Sequence, residues 1–234
     1  MADFESSQLS LSIGLRDDAT FANFLSADNV HAIAALQAQI RGCGENFQYL
    51  YGGEDSGKSH LLQAVCHLSD ELGLRSVYLP LEELALLSPD LLDGLEELDL
   101  VCIDDLHLVA GRKKWETALF HFFNRMRDAG RYLVISADAA PGQLGVKLPD
   151  LASRLAWGVT LSLQNLTDEQ KNDALKLRAR ERGLELTDEV ARYILHRGPR
   201  TLRELFDMLA RLDHASLMAK RKLTIPFVRE TLQW

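Results

Sequence analysis

The sequence predicts an α/β fold, a three-layer αβα domain around a parallel sheet followed by a small all-helical lid. Three observations carry that expectation. The stretch Gly52-Gly53-Glu54-Asp55-Ser56-Gly57-Lys58-Ser59 fits G-x-x-x-x-G-K-[ST] at every fixed position, between the apolar run Phe47 to Tyr51 and the helical run Leu61 to Val65. Strand-type and helix-type segments alternate on both sides of it up to about residue 166. From Thr167 onward only helical periodicity remains, and alternation followed by helices alone implies a parallel layered domain plus a helical cap.

The glycine-rich turn sets the chemistry. A strand delivers the chain to a loop whose glycines let backbone N–H groups close around a phosphate, and the next helix aims its positive end at the same anion. The candidate contacts are Gly52, Gly53, Ser56, Gly57, Lys58, Ser59 and His60. Lys58 is expected to reach the β- and γ-phosphates and Ser59 to ligate Mg²⁺. A nucleoside phosphate is the ligand this implies.

Length and composition set the outer limits. A chain of 234 residues is long enough to bury a sizeable core without staples. Cys43, Cys66 and Cys102 are odd in number and form no C-x-x-C pair, which fits reduced packing residues. The acidic start Met1-Ala2-Asp3-Phe4-Glu5 lacks the basic flank of a signal peptide, and no apolar run is long enough to span a bilayer, so a cytoplasmic protein without a membrane partner is expected. The net charge of −8 argues against a chain devoted to gripping nucleic acid. It is unevenly spread: residues 1–169 hold 12 Lys/Arg and 25 Asp/Glu, residues 170–234 hold 14 and 9. That asymmetry suits either two domains with different partners or a helical tail with solvated arginines.

In order, residues 1–16 read as a flexible arm, in which Gln8-Leu9-Ser10-Leu11-Ser12-Ile13 alternates polar and apolar. Such a segment could add to another protein's sheet edge or drop side chains into its pockets, or be an edge strand of its own domain. The α/β domain is expected over 17–166, with Phe21 and Phe24 anchoring the chain and Asp28 capping a helix to about Ile40 that Gly42 and Gly44 end. Ser76 to Leu79 reads as a second strand, with short helices over 81–87 and 91–95. Leu98 to Asp105 is an apolar strand ending in two acids: Asp104 to order the Mg²⁺ shell beside Ser59, Asp105 to orient an attacking water. The spacing between Ser59 and Leu98 leaves room for a whole β-α unit, so one strand should separate the two nucleotide-binding strands. An amphipathic helix follows over 115–127, then a strand over 132–138 whose end places Ser136 or Asp138 to sense the γ-phosphate, or simply to form the turn before Pro141. Asp150 is expected to cap a short helix carrying Arg154, and Leu161 to Leu163 supplies the last strand. The lid, residues 167–234, is expected as helices over 168–182, 187–196, 201–219 and 226–232.

The string from Thr20-Phe21-Ala22-Asn23-Phe24 through the phosphate loop, Asp104-Asp105, Ser153-Arg154-Leu155-Ala156-Trp157-Gly158 and Leu202-Arg203-Glu204-Leu205 resembles the AAA+ core of the bacterial replication initiator DnaA. The resemblance covers about residues 17–234. Counterparts of the initiator's N-terminal interaction domain and C-terminal duplex-reading domain are not seen, and Gln8, Leu9, Leu11 and Ile13 resemble the peptide by which replication proteins dock on the DNA polymerase III β sliding clamp. This combination, with the ending Lys220 to Val228, resembles the regulatory-inactivator branch of the DnaA/Hda family.

The resemblance implies roles. Asp138 falls at the family's sensor-1 position, Arg203 at sensor 2, and Arg154 at the arginine finger offered to a neighbouring subunit's nucleotide. A finger in trans is worth roughly 10³ to 10⁵ in turnover, because its charge meets that of the phosphoryl-transfer transition state. By residue type alone, Arg154 is a surface arginine at a helix end. The implied function is negative regulation of replication initiation, by stimulating hydrolysis of DnaA-bound ATP; an ATP-driven remodeller, such as a helicase loader or clamp-loader-like machine, is the alternative. Asp105 stands where vigorous AAA+ hydrolases carry glutamate, so weak hydrolysis of its own nucleotide is expected. Ser12-Ile13 stands where stronger clamp peptides carry an aromatic, so weaker docking is expected. Whether Arg197, Arg200 and Arg211 touch DNA, and whether the chain forms a homo-oligomer, stays open at this point.

Overall fold

A computed structural model describes residues 15–234 apart from Asp17 and Ser26. The clamp-peptide residues Gln8, Leu9, Leu11 and Ile13 lie outside the described residues.

Five parallel strands, β1 (Phe47–Tyr51), β2 (Ser76–Pro80), β3 (Leu100–Asp104), β4 (Tyr132–Ala137) and β5 (Val159–Ser162), form one sheet in the order β2-β3-β4-β1-β5. Their central members are apolar on both faces, as a doubly covered parallel sheet requires. Leu50, Leu100, Cys102 and Val134 meet α1 (Val30–Ile40) and α2 (Lys58–Glu71) on one side. Tyr49, Val101, Ile103, Leu133 and Ile135 meet α3 (Leu81–Leu84), α4 (Lys113–Asp128) and α5 (Pro149–Leu155) on the other. The result is the three-layer arrangement that the alternating segments predict.

One strand does separate the two nucleotide-binding strands, but it is β4, not the intervening unit of the chain. That unit, β2, pairs among the described residues with β3 alone and forms the edge of their sheet. Strand order is a long-range choice that spacing does not determine.

Two caps differ from expectation. Asn29, not Asp28, precedes α1, and its side chain bridges to the backbone of Gln164 instead of capping: Nδ2 donates to the carbonyl at 3.0 Å and Oδ1 accepts from the N–H at 2.9 Å. Asp28 sits inside a 3-10 turn, Ala27–Asn29. Helix α5 starts at Pro149 with Leu148 before it, so Asp150 lies in the first turn and caps nothing. Proline suits that first position because its missing N–H has no partner there in any case.

The lid consists of α6 (Asp168–Glu181), α7 (Asp188–Arg197), α8 (Leu202–Ala219) and α9 (Ile225–Leu232). Each starts after a threonine, Thr167, Thr187, Thr201 and Thr224, whose hydroxyl accepts a first-turn N–H, a cap worth about 1 kcal/mol apiece. Leu175, Ile194, Leu205, Leu209, Leu212, Phe227 and Val228 close a core of their own. Among the described residues no helix is long and apolar enough to cross a membrane.

Candidate functional site

A cavity of about 840 Å³ opens where the C-terminal ends of β1, β3 and β4 meet the lid. Its floor is the loop between β1 and α2. A Cβ at Gly52 would come within 2.7 Å of the Leu163 carbonyl oxygen, and one at Gly57 within 2.6 Å of the Phe24 ring, so both positions demand glycine. Gly57 also has φ +89°, a left-handed conformation that only glycine adopts freely. Helix α2 receives no side-chain cap, which leaves its first-turn N–H groups to the cavity. Ser56 is buried with its hydroxyl unpartnered. Lys58 Nζ lies in the loop, donating to the carbonyls of Gly52 at 2.9 Å and Gly53 at 2.8 Å. An orphaned hydroxyl, unclaimed N–H groups and an ammonium at one helix start make a cradle for an anion of phosphate size.

Asp104, at the end of β3, is fully buried. Its Oδ1 accepts from the Ser136 hydroxyl and from the Asp105 N–H at 3.1 Å; its Oδ2 accepts from the Tyr78 hydroxyl at 2.6 Å. Ser136 is therefore held inside the sheet rather than facing a ligand. Among the described residues no three or more His, Cys, Asp or Glu cluster around a metal position. One carboxylate and one hydroxyl, Asp104 and Ser59, are the sparse hard-oxygen set that suits Mg²⁺ carried in on phosphates.

Asp105 takes φ +59°. Burial, reinforced by the Asp104 carboxylate, pushes its pKa up to about 6. His107 Nδ1 lies 4.0 Å from Asp105 and 3.9 Å from Asp138, whose side chain is half exposed at the cavity rim. Arg203, on the first turn of α8, is also exposed at the mouth, 4.0 Å from Glu82. His60 lines the cavity, but its Nε2 pairs with the Thr20 carbonyl at 2.8 Å and its ring meets Phe24 edge-on. Its burial lowers its basicity, so it holds the Thr20–Phe24 segment against α2.

Several cavity residues escape the motif. Phe24, Leu25, Leu166, Ala174 and Phe206 give the cavity apolar lining of the kind a base would meet, with Arg178 stacked 5.3 Å over Phe206 and paired to Asp18 and Glu181. Asp55, φ +66°, accepts the Leu202 N–H at 2.8 and 2.9 Å and so ties the phosphate loop to the start of α8. Burial raises its pKa above the usual carboxylate value.

Arg154 lies elsewhere. It does not line the cavity. Its guanidinium stands 5.6 Å from the ring of Trp157, which is 63% exposed and has Arg127 at 5.8 Å as well. Among the described residues it has no acidic partner. Helix α5 is positioned by Glu116, a buried acid on the apolar stripe of α4 that accepts the N–H groups of Gly111 at 2.7 Å, Lys147 at 2.9 Å and Leu148 at 2.9 Å. An acid in register with Leu119 and Phe123 was the signal for it in the sequence.

Comparison with known proteins agrees with this geometry. The model of the bacterial DnaA ATPase domain matches residues 15–162, and that of the Hda lid domain matches residues 168–232. Domain III of the replication initiation protein DnaA of Thermotoga maritima superposes with TM-score 0.78 at 26% identity, over 94% of this chain and 98% of that one. AMPPCP-bound DnaA from Aquifex aeolicus does so with TM-score 0.70 at 25% identity, over 84% and 65%. The Holliday junction branch migration motor RuvB of Thermotoga maritima, 22% identical over 94% and 72%, shares the fold with TM-score 0.70. Since the first match spans more than half of the sequence, from the end of the arm through β5, the chain belongs to the bacterial DnaA ATPase family of AAA+ proteins and carries an Hda-type lid.

Proposed function

We propose that this chain is a nucleotide-bound AAA+ adaptor that switches off replication initiation: tethered to the β sliding clamp by Gln8, Leu9, Leu11 and Ile13, it docks on DnaA and stimulates hydrolysis of DnaA-bound ATP with Arg154. The observation that carries this reading is the placement of Arg154. A cation useful to the chain's own nucleotide would line its own cavity; Arg154 lies outside it, without an acidic partner among the described residues and stacked on an exposed tryptophan. A planar, always ionised guanidinium matches phosphate oxygens bidentately. Presented to a neighbour's triphosphate, it stabilises charge that develops in the transition state.

In the chain's own site, Lys58, the N–H groups of the loop and Arg203 would hold the phosphates of ADP or ATP, and Ser59 and Asp104 the Mg²⁺, which when bound neutralises phosphate charge. Asp105 sits where it would orient a water, but its side chain is one methylene shorter than glutamate and lies 4.0 Å from His107. Slow hydrolysis of the chain's own nucleotide follows. Arg197, Arg200 and Arg211 are carried on the lid and supply weak or indirect DNA contact at most. The setting is cytoplasmic.

The second reading, an ATP-driven remodeller, draws on Asp105 standing in the cavity with its pKa near neutral. Single-turnover conversion of DnaA-bound ATP, with clamp loaded on DNA, separates the two. The adaptor converts DnaA-bound ATP while barely hydrolysing its own; Arg154→Ala abolishes conversion and Gln8→Ala lowers it to the level seen without clamp. Fast hydrolysis by this chain alone, with DnaA-bound ATP untouched, would establish the remodeller.

A further inference from the structure

Tyr78 lies on β2, beside the strand that ends in Asp104, and donates its hydroxyl to Asp104 Oδ2 at 2.6 Å. The other carboxylate oxygen is held inside the sheet by the Ser136 hydroxyl and the Asp105 N–H. Oδ2 is therefore the oxygen left to serve the cavity. Tyr78 lines the same cavity as Ser59 and Asp104, the two residues whose hard oxygens suit Mg²⁺. The phosphate-loop pattern and the acidic strand end do not call for a tyrosine at this point.

We propose that Tyr78 is a positioning residue that would temper the grip of Asp104 on Mg²⁺, because its O–H shares the carboxylate oxygen that Ser136 and the Asp105 N–H leave free. Mg²⁺ loses water reluctantly and is held by few protein groups, so its affinity depends on how much charge that oxygen retains. A phenol donor draws on the same charge. The inference rests on the reading of Lys58, Ser59 and Asp104 as a magnesium nucleotide site, and it deepens that reading: a carboxylate already satisfied by the protein couples nucleotide to metal weakly.

The test is fluorescence titration with mant-ADP, in Mg²⁺ and in EDTA, on the full chain, on Tyr78→Phe and on Tyr78→Phe/Asp104→Asn. The ratio of affinities with and without Mg²⁺ should rise about tenfold in Tyr78→Phe, the scale of one hydrogen bond to a charged group, and the gain should vanish in the double variant. An unchanged or smaller ratio, or a gain that survives loss of Asp104, overturns the role of Tyr78 while leaving the nucleotide site standing. No binding of mant-ADP to the wild type overturns both. Should Tyr78→Phe fail to fold, 3-fluorotyrosine placed at position 78 decides the same question: its ¹⁹F resonance should shift between ADP and Mg²⁺·ADP, and a resonance indifferent to the metal overturns the proposal.

Discussion

The two ends of the sheet are built on opposite principles. At the C-terminal end of the strands, polar groups answer one another: Asp104 is satisfied by three donors, Asp55 takes the first N–H of α8, Arg178 is paired to Asp18 and Glu181, and Asn29 is bonded to Gln164. Near the start of β5, Trp157 is mostly exposed, with Arg127 and Arg154 on its ring and a cavity of about 390 Å³ lined by Phe47, Phe123 and Arg131 beside it. An end that closes on itself suits a ligand the chain keeps. An end of exposed tryptophan and arginine has the composition of an interaction hot spot, and suits something the chain lends.

The sharpest way to break that contrast is to disable each end separately. Lys58→Ala should abolish tight ADP binding, read by isothermal titration, whereas Arg154→Ala should leave ADP binding and melting temperature unchanged and lower the conversion of DnaA-bound ATP by about 10³. Equal loss of ADP binding in both variants would mean that the two ends are one site. The next effect in size concerns how the lending end is held. Glu116→Gln replaces one acceptor oxygen by an amide that faces the N–H groups of Lys147 or Leu148, leaving a buried donor unmet. It should destabilise the fold by about 2–3 kcal/mol, near 5–10 °C in melting temperature for a chain of this size. ADP binding measured below the transition should stay intact while conversion falls.

The closed end was far more legible in the sequence than the open one, and for a physical reason. The phosphate loop, its strand and its helix are contiguous, so Gly52 to Ser59 had to meet their geometry within a few residues. Asp104 and Asp105 at the end of an apolar run were legible for the same reason. What was not legible depends on partners far along the chain: Glu116 bonded to Lys147 and Leu148, Asp55 to Leu202, Asn29 to Gln164 in place of a cap at Asp28, and β4 inserted between β1 and β3. His60 lines the cavity beside Ser59, and its imidazole is bonded to Thr20, 40 residues away, a partner that its position in the motif does not reveal. Arg154 required the family resemblance, since a lone arginine at a helix end has no local signature.

Two smaller effects sharpen the closed end. Asp55→Gly removes the carboxylate that receives the Leu202 N–H without imposing strain at φ +66°. It should cost about 1 kcal/mol, the scale of a lost cap, with hydrogen exchange quickened at the start of α8 and ADP bound more weakly. DnaA-directed conversion at saturating ADP should be spared. Unchanged exchange there would mean that the lid is held by its other contacts, the Arg178–Asp18 pair among them, and not by Asp55.

The smallest effect tests whether the closed end stores charge strain that the open end lacks. Asp105 is raised to about 6 in the folded chain by burial and by the adjoining Asp104 carboxylate, from the usual carboxylate value near 3.9 when unfolded. A raised folded value means that the folded state binds the proton more tightly. Its stabilising contribution is then complete below about pH 4 and is lost as pH climbs through 6. Asp105→Asn carries no such loss, and asparagine tolerates the left-handed backbone at this position. The variant should therefore match the wild type in melting temperature at pH 4 and exceed it above pH 6, by about 1 kcal/mol once solvent screening of a partly open site is allowed for. Arg154→Ala, which removes no carboxylate and whose guanidinium has no acidic partner among the described residues, should show no such pH-dependent difference. A stability gap for Asp105→Asn that stays constant from pH 4 to 8 would show that its carboxylate is relieved by His107 and Lys58, and that the closed end is no more strained than the open one.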